Sequence, residues 1–520
     1  MLTKERRVLL LVSLSFVLIR LLYLQQYTQE NPFYNHPILD SAFYLQWADA
    51  IRAGKTMFPE EYHHPPGYAF FLAALLAVSG GNFYAVLLLQ SLMLALQGLL
   101  LFAIARRIAG RAAAWFSFAL FCLCGPLVFY SMKLLSETLF TTLLLLCFYW
   151  LLRFLQEGRA RDLFLSGLAL GATIEVRGTA IVYLIPAMIV LLSKKYTSPQ
   201  PKVKTAMLWL AGVAVLVLPV LVRNVAVSGH WTPVAANWGE NFYMANNPNA
   251  AGTFSSIPGV RTNLNDQIED IKAEASRRAG RQLNSQEAQR YWFHEGLKFI
   301  TRDPGGWLAL MGRKAQRIFS RREASTMYFY DLETKYFQPS LKFLFINMAW
   351  ILPLSFLGTA CAPSNTESRL LFGFLLAHLF LLLIFWPELR FVLPAIPFLL
   401  ISAGFITRLH VNQSIVGVAL AALVLYQLVN LNSLPGTGGR EAWFTNASSA
   451  YYANGQFDDS IAMAKSAIQM NPNYADAWVD LGAALYAKGD KEQARKAWNT
   501  ALKIEPGHVI ARENLEKTNR

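Results

Sequence analysis

Between Val8 and the middle of the 420s the sequence falls into runs of apolar, nearly uncharged residues separated by short polar links. A helix needs about 20 such residues to cross the ~30 Å hydrocarbon core of a bilayer, where every backbone polar group must be satisfied within the segment. The runs therefore predict a polytopic, all-α membrane bundle. Composition agrees, since 54% of the 520 residues are hydrophobic and 15% are charged, against about 25% charged in an ordinary soluble domain. The formal net charge is +14, from 47 Lys and Arg against 33 Asp and Glu. Gathered on one surface, that excess would suggest nucleic-acid binding. Here Lys4, Arg6, Arg7, Arg106, Arg107, Arg111, Arg153, Arg159, Arg161, Lys194, Lys195, Lys202 and Lys204 occupy the links, which is the positive-inside pattern. No nucleic-acid partner is expected. Cys122, Cys124, Cys147 and Cys361 lie in or beside apolar runs without metal-ligand spacing and read as packing residues.

The first run, Val8 to Leu24, lacks a following small-residue cleavage site and reads as an uncleaved helix. With Met1 to Arg7 cytoplasmic, the loop from Glu30 to Tyr62 lies outside. Pro65 to Gly80 is too short to span comfortably and reads as interfacial or re-entrant. Further spans are expected at 83–105, 112–130, 137–153, 162–175, 179–193, 204–222, 341–359, 369–386, 391–407 and 413–430, about eleven in all. An odd number places the C-terminal tail outside, in a protein of the inner (plasma) membrane. The modules are 1–223 with its outer loop 25–67, a large mixed extracytoplasmic loop at 224–340, membrane helices at 341–430, and the tail at 441–520.

The tail repeats with a period of 34. Gly455 and Gly489, Ala467 and Ala501, Ile468 and Leu502, and Pro472 and Pro506 are each one period apart. Trp478, Leu481, Gly482, Ala494, Trp498, Ala501 and Pro506 resemble the tetratricopeptide consensus. The first copy is degenerate, with Phe444 at the Trp position and Ser448 at the first Gly. Two copies fall short of the three or so that a free-standing solenoid needs, so the tail is expected to lean on the membrane domain or on a partner, as a docking module or a stabilising cap.

Ionisable residues at membrane depth are costly to bury and are functional candidates. The outer ends of the predicted spans offer Asp40, Asp49, Arg52, His63, His64, Lys133, Glu137, Glu175, Arg177, Arg223, Glu388 and Arg390. Asp40 opens an amphipathic stretch, Asp40 to Gly54, that is followed by His63-His64-Pro65-Pro66-Gly67-Tyr68. Later come Ser136-Glu137-Thr138-Leu139-Phe140, Asn237 to Pro248, and Arg390-Phe391-Val392-Leu393-Pro394-Ala395-Ile396-Pro397. In this order, over about residues 1–250 and 340–430, the chain resembles the polyprenyl-phosphate-sugar glycosyltransferases of the GT-C fold, near the protein O-mannosyltransferases and lipid A aminoarabinose transferases.

The resemblance implies inverting sugar transfer on the outer face, from a lipid-linked monophosphate sugar to a hydroxyl of a protein, lipid or glycan. It makes Asp40 the general base, a role a partly dry carboxylate suits, although Asp40 could instead cap its helix. A departing phosphate needs cations, and Arg390, Arg177 and Lys133 are the candidates in that order. An arginine's fork binds two phosphate oxygens, while Arg390 read on its own could be a snorkelling anchor paired with Glu388. The mannosyltransferases carry Asp-Glu where this chain has Asp40-Ser41, so a second acid would come from Glu137 or Glu240; Glu137 could equally serve its helix dipole. His64 stands where the aminoarabinose transferases carry Lys, and with Tyr68 and Asn241 it is a candidate substrate contact. His63 and His64, being adjacent, are poor chelators of one ion. Without an Asp-x-Asp, no obligatory metal or cofactor is expected. No glycine-rich nucleotide loop or His-Glu-x-x-His occurs, which argues against nucleotide-sugar, ATP and zincin chemistry. A multispan transporter or flippase with a docking tail, or a silent membrane anchor, is the competing class; a carrier would place ionisable residues at mid-membrane. Asn446-Ala447-Ser448 is a formal glycosylation acceptor of a kind that arises by chance.

Overall fold

The computed structural model describes residues 4–55, 57–193, 201–254, 256–258, 260, 264–320, 325, 327–408 and 439–518. Among them the only extended pairing is an isolated bridge between Cys124 and Ile346. Everything else regular is helical. The chain divides into two compact units, the first formed by Met1–Leu24, Phe43–Ala324 and Leu341–Leu434, the second by Gln25–Ala42, Ser325–Ser340 and Pro435–Arg520.

Among the described residues six helical segments are long and apolar enough to cross a membrane: Arg7–Glu30, Phe83–Ala109, Glu137–Glu157, Lys202–Ser228, Thr366–Ile384 and Leu389–Arg408. They correspond to the expected spans at 8–24, 83–105, 137–153, 204–222, 369–386 and 391–407. The chain is thus a multi-pass membrane protein. The helices that position the site are α1 (Lys4–Glu30), α2 (Leu39–Arg52), α3 (Gly67–Val78), α4 (Phe83–Ala109), α5 (Arg111–Cys122), α6 (Gly125–Tyr130), α7 (Glu137–Glu157), α8 (Ala160–Val176), α9 (Leu184–Leu192) and α10 (Lys202–Ser228). The expected run 112–130 is broken between α5 and α6, where Cys124 pairs with Ile346. The run 341–359 opens with a 3-10 turn, Pro339–Phe343, and becomes α-helical only from Met348. The run 179–193 likewise begins as a 3-10 turn, Gly178–Tyr183. The run 413–430 lies outside the described residues.

α8 packs between α7 and α10. Its contact with α10 is a backbone crossing made by glycines: a Cβ on Gly167 would lie 2.1 Å from the carbonyl oxygen of Trp209, and one on Gly212 would lie 2.5 Å from that of Phe164. Where surrounding lipid is as apolar as leucine, close backbone approach is what draws helices together. α4 is tied to α7 by Gln97, whose amide donates to the carbonyl of Thr138 at 3.0 Å and to the hydroxyl of Thr142 at 2.9 Å.

The large loop, expected to be mixed, is helical among its described residues: α11 (Trp238–Ala245), α12 (Leu264–Ala279), α13 (Ser285–Arg302), α14 (Pro304–Ile318) and α15 (Tyr330–Tyr336). α16 (Met348–Ala360), α17 (Thr366–Ile384), α18 (Leu389–Val392) and α19 (Ile396–Gly404) follow. α12 and α13 enclose a small core in which Trp292 is fully buried beside Ile271 and Ala275.

The second unit holds the repeats as the pairs α20 (Arg440–Ala453) with α21 (Phe457–Met470) and α22 (Ala475–Ala487) with α23 (Lys491–Ile504), closed by α24 (Val509–Thr518). The degenerate first repeat is a swap of volumes. In the second repeat a Cβ on Gly482 would lie 2.4 Å from the indole nitrogen of Trp498. One period earlier the place of Trp498 is taken by the small, buried Ala464, and Ser448 fills the space by donating to the carbonyl of Ser460 at 2.9 Å. The repeats do not form this unit alone. Trp443, fully buried, meets Phe33 at 6.2 Å and Phe337 at 5.2 Å between ring centroids, and Arg440 pairs with Asp331 at 2.7 Å. Aromatic burial of this kind, ~150–250 Å² per ring, supplies the core that two repeats lack.

Candidate active site

The loop from Phe58 to Tyr68 is pinned from several directions. Arg223, near the C-terminal end of α10, donates to the carbonyls of Phe58 and Glu60, each at 2.6 Å, and lies 4.1 Å from the Tyr62 ring. Asn224 accepts from the Tyr62 amide at 3.1 Å. Pro66-Gly67 then brings α3 against the end of α8, where a Cβ on Gly67 would fall 2.7 Å from the Glu175 carbonyl. Tyr68 is fully buried, stacks edge-on against Tyr44 at 4.8 Å and donates to Gln90 at 3.1 Å. The Gln90 amide donates in turn to the carbonyls of Ser131 and Lys133. Tyr68 thus braces the segment that leads to Glu137.

At the start of α7, buried Glu137 accepts from Arg177 at 2.8 Å, and Ser136 accepts from the same nitrogen at 3.1 Å. The Arg177 guanidinium lies 4.8 Å from the Phe391 ring, and that of Arg390 lies 4.5 Å from it. Two cations therefore attend one aromatic ring, each beside a carboxylate, since Arg390 Nε is 3.5 Å from buried Glu388. Phe391 is fixed from behind. His378 Nε2 is 2.7 Å from its carbonyl oxygen and Nδ1 is 2.6 Å from the Tyr183 hydroxyl. A carbonyl only accepts, so Nε2 carries a proton and donates to Phe391. Lys133 is buried with its ammonium 4.6 Å from the Phe129 ring.

Other expected residues are more fully committed to the protein. Glu240 has both oxygens engaged, with His63 Nε2 at 2.8 Å and the Gln289 amide at 2.7 Å. His64 receives Asn237 at 3.3 Å and lies 4.9 Å from Phe43. Burial, reinforced by His63, pushes its pKa well below the ordinary histidine value, so it acts as a neutral imidazole. Asn241 is a partly exposed residue of α11 whose amide closes a helical turn on Asn237. Asp49 and Arg52 form an exposed ion pair at 2.9 Å, a solvated contact worth little.

Asp40 belongs to the second unit, in the first turn of α2. Tyr328 there is buried, donates to Ser41 at 3.0 Å, and has its phenol pKa raised by burial and in smaller part by the charges of Glu333 and Asp40. Leu39, immediately before Asp40, has φ +48°, the only positive φ outside glycine among the described residues. For a leucine this costs about 1–2 kcal/mol, and such strain gathers at functional positions.

Two carboxylates stand out in the structure: Glu175, already a candidate from the sequence, and Glu61, which was not. Both oxygens of Glu61 and both of Glu175 are buried without a hydrogen-bond partner among the described residues. Glu61 sits in Pro59-Glu60-Glu61, which reads as ordinary polar loop; its only signal is proximity to His63-His64-Pro65-Pro66. The Tyr183–His378 pair was equally hidden, being two polar residues in apolar runs that meet only on folding.

The fold and site together define a helical multi-pass membrane protein with a charged, aromatic-walled cluster at the ends of its spans and a repeat tail. Residues 63–222 match the family model described as dolichyl-phosphate-mannose-protein mannosyltransferase, and residues 451–514 match one described as tetratricopeptide repeat. Both matches bear out the resemblance drawn from the sequence. The chain is 40% identical over 65 residues to the peroxisomal targeting signal receptor of Candida glabrata, covering 12% of this chain and 11% of that one. It is 31% identical over 80 residues to the human protein O-mannosyl-transferase TMTC1, covering 15% and 9%. The chain therefore spans only about a tenth of the length of these curated relatives. Among solved structures, ArnT from Cupriavidus metallidurans bound to undecaprenyl phosphate gives a TM-score of 0.46 at 12% identity, covering 95% of this chain and 77% of that one. The oligosaccharyltransferase AglB from Archaeoglobus fulgidus, in complex with an inhibitory peptide and a dolichol-phosphate, gives 0.40 at 12%, covering 92% and 59%.

Proposed function

We propose that this protein is a membrane glycosyltransferase that moves a sugar from a polyprenyl-phosphate donor to an acceptor hydroxyl with inversion. The observation that carries the reading is the pair of guanidiniums, Arg177 and Arg390, on either account within 5 Å of the Phe391 ring. A monophosphate leaving group develops negative charge as the bond from the anomeric carbon to the phosphate oxygen breaks. Two oriented arginines in a water-poor site stabilise that charge without an acid catalyst. Lys133 is the third cation in this assignment. Glu137 and Glu388 hold the two arginines in place, and buried Glu175 and Glu61 are available to sugar hydroxyls.

In this reading Asp40 takes the proton from the acceptor hydroxyl as its oxygen bonds to the anomeric carbon from the face opposite the phosphate. The strained Leu39 supports a position held for function. The match over 63–222 includes Lys133, Glu137 and Arg177 and supports a mannosyltransferase-like activity; whether the donor sugar is a hexose or a pentose is open to direct assay. The site faces outside, in an inner (plasma) membrane protein with a cytoplasmic N-terminus and extracytoplasmic repeats, and the repeats dock a protein partner. A transporter is less well supported, since Glu137, Arg177, Glu388 and Arg390 all sit at helix ends and not at mid-span.

The test is sugar transfer by purified protein in proteoliposomes with a polyprenyl-phosphate sugar. Asp40→Asn is expected to abolish transfer while donor binding persists. Full activity of Asp40→Asn would remove Asp40 as base, and movement of labelled lipid without glycosylated product would replace the enzyme with a carrier.

A further inference from the structure

α14 carries three cations, Arg313, Lys314 and Arg317, and none of them has a carboxylate partner among the described residues. Lys314 is fully buried, and its ammonium donates to the carbonyls of Leu383 at 2.9 Å and Ile384 at 3.3 Å. Those carbonyls end α17, one of the six spanning segments. Arg313 and Arg317 reach only the carbonyls of Ala250 and Ala251, at 3.2 and 3.4 Å, and Arg317 Nε is buried with no partner. Burial and the charge of Arg313 both lower the pKa of Arg317, as expected of two like charges with no anion between them.

The setting selects the anion. α17 is long and apolar enough to span, and α14 is bonded to the last carbonyls of that segment, at its edge. Phe319, just past α14, packs 5.8 Å from Phe356 of apolar α16, whose ring is itself exposed on the protein surface. Leu308, on the first turns of α14, is 63% exposed. Exposed apolar residues beside unpaired arginines, at the end of a span, form an amphipathic interfacial helix. A free phosphate would use the cations but leave Leu308 and Phe319 in water.

We propose that α14 is a lipid-binding helix whose Arg313 and Arg317 hold the phosphate of an anionic phospholipid while Leu308 and Phe319 enter its acyl region. None of these residues is assigned a part in the transfer chemistry, and the proposal does not depend on it.

Native mass spectrometry of the full-length protein in neutral detergent, titrated with phosphatidylglycerol or phosphatidylcholine, tests the assignment. Phosphatidylglycerol is expected to bind in preference. Arg313→Gln/Arg317→Gln should weaken it roughly tenfold or more, while Arg277→Gln/Arg281→Gln, the same charge change on exposed arginines outside α14, should not. Arg313→Lys/Arg317→Lys keeps the charge and is expected to retain most of the preference, which guards against misfolding of the Gln variant. Equal binding of the two lipids, or equal binding by wild type and the Gln variant, overturns the proposal. So does displacement of phosphatidylglycerol by millimolar inorganic phosphate, which marks a free-anion site. Binding of polyprenyl phosphate with none of phosphatidylglycerol also overturns it.

Discussion

His63 Nε2 and Glu240 Oε1 lie 2.8 Å apart and both side chains are buried. The contact joins the loop before α3 to the large loop across 177 residues of sequence, and Gln289 completes it by taking the other Glu240 oxygen. Removing His63 leaves a buried carboxylate oxygen of Glu240 without its hydrogen-bond partner, at a cost of about 1–3 kcal/mol. His63→Ala is therefore expected to lower the unfolding temperature in detergent clearly, and Glu240→Gln, which keeps a polar partner on both sides, much less. Equal temperatures for wild type and His63→Ala would show the contact to be idle.

Arg177 and Arg390 make separable predictions because they share Phe391 but not a carboxylate. Losing a charge-assisted hydrogen bond costs about 2 kcal/mol, which is roughly 30-fold. Arg390→Gln and Arg177→Gln are each expected to reduce kcat/KM for the lipid-linked donor by about that factor. The Lys variants recover part of it, since a point charge cannot reproduce the fork. Initial rates against donor concentration decide this; variants with wild-type kcat/KM would exclude phosphate contact.

Asp480, in the second repeat, accepts from Ser449 at 3.2 Å. Burial pushes its carboxyl up from 3.8 to about 7, with the Asp476 charge adding to the effect. Between those values the folded repeat holds a proton that the unfolded chain has lost. Its contribution to stability is complete below pH ~4 and declines as the pH rises to about 7. Hydrogen exchange of α22 in the full-length protein should therefore quicken from pH 5 to pH 7 after correction for intrinsic rates. Asp480→Asn should remove that dependence, and an unchanged slope would refute the assignment.

Much of the architecture was legible because its causes are local. A bilayer requires long uncharged helices, so hydropathy alone located the spans that became α4, α7, α10 and α17. The repeat was visible as periodicity, since each of its glycines and alanines answers to a helix in the same 34-residue unit. The breaks at Cys124 and in the 3-10 turns at Gly178–Tyr183 and Pro339–Phe343 were not legible, because apolar composition does not distinguish an α-helix from a tighter turn held by a distant bridge. The volume exchange between Ser448 with Ala464 and Gly482 with Trp498 required both helices of each pair to be seen together.

For the site, sequence nominated the charges, because an ionisable residue near a span is conspicuous against an apolar background. It could not decide their partners. That Arg177 and Arg390 meet at Phe391, that Glu240 is consumed by His63 and Gln289, that Glu61 and Glu175 stand buried and unpartnered, and that Lys314 caps a membrane helix all depend on contacts between segments tens to hundreds of residues apart. Hydrophobic partition acts on each segment by itself and can be read from it; hydrogen bonding and ion pairing at span ends are decided only when the segments are packed.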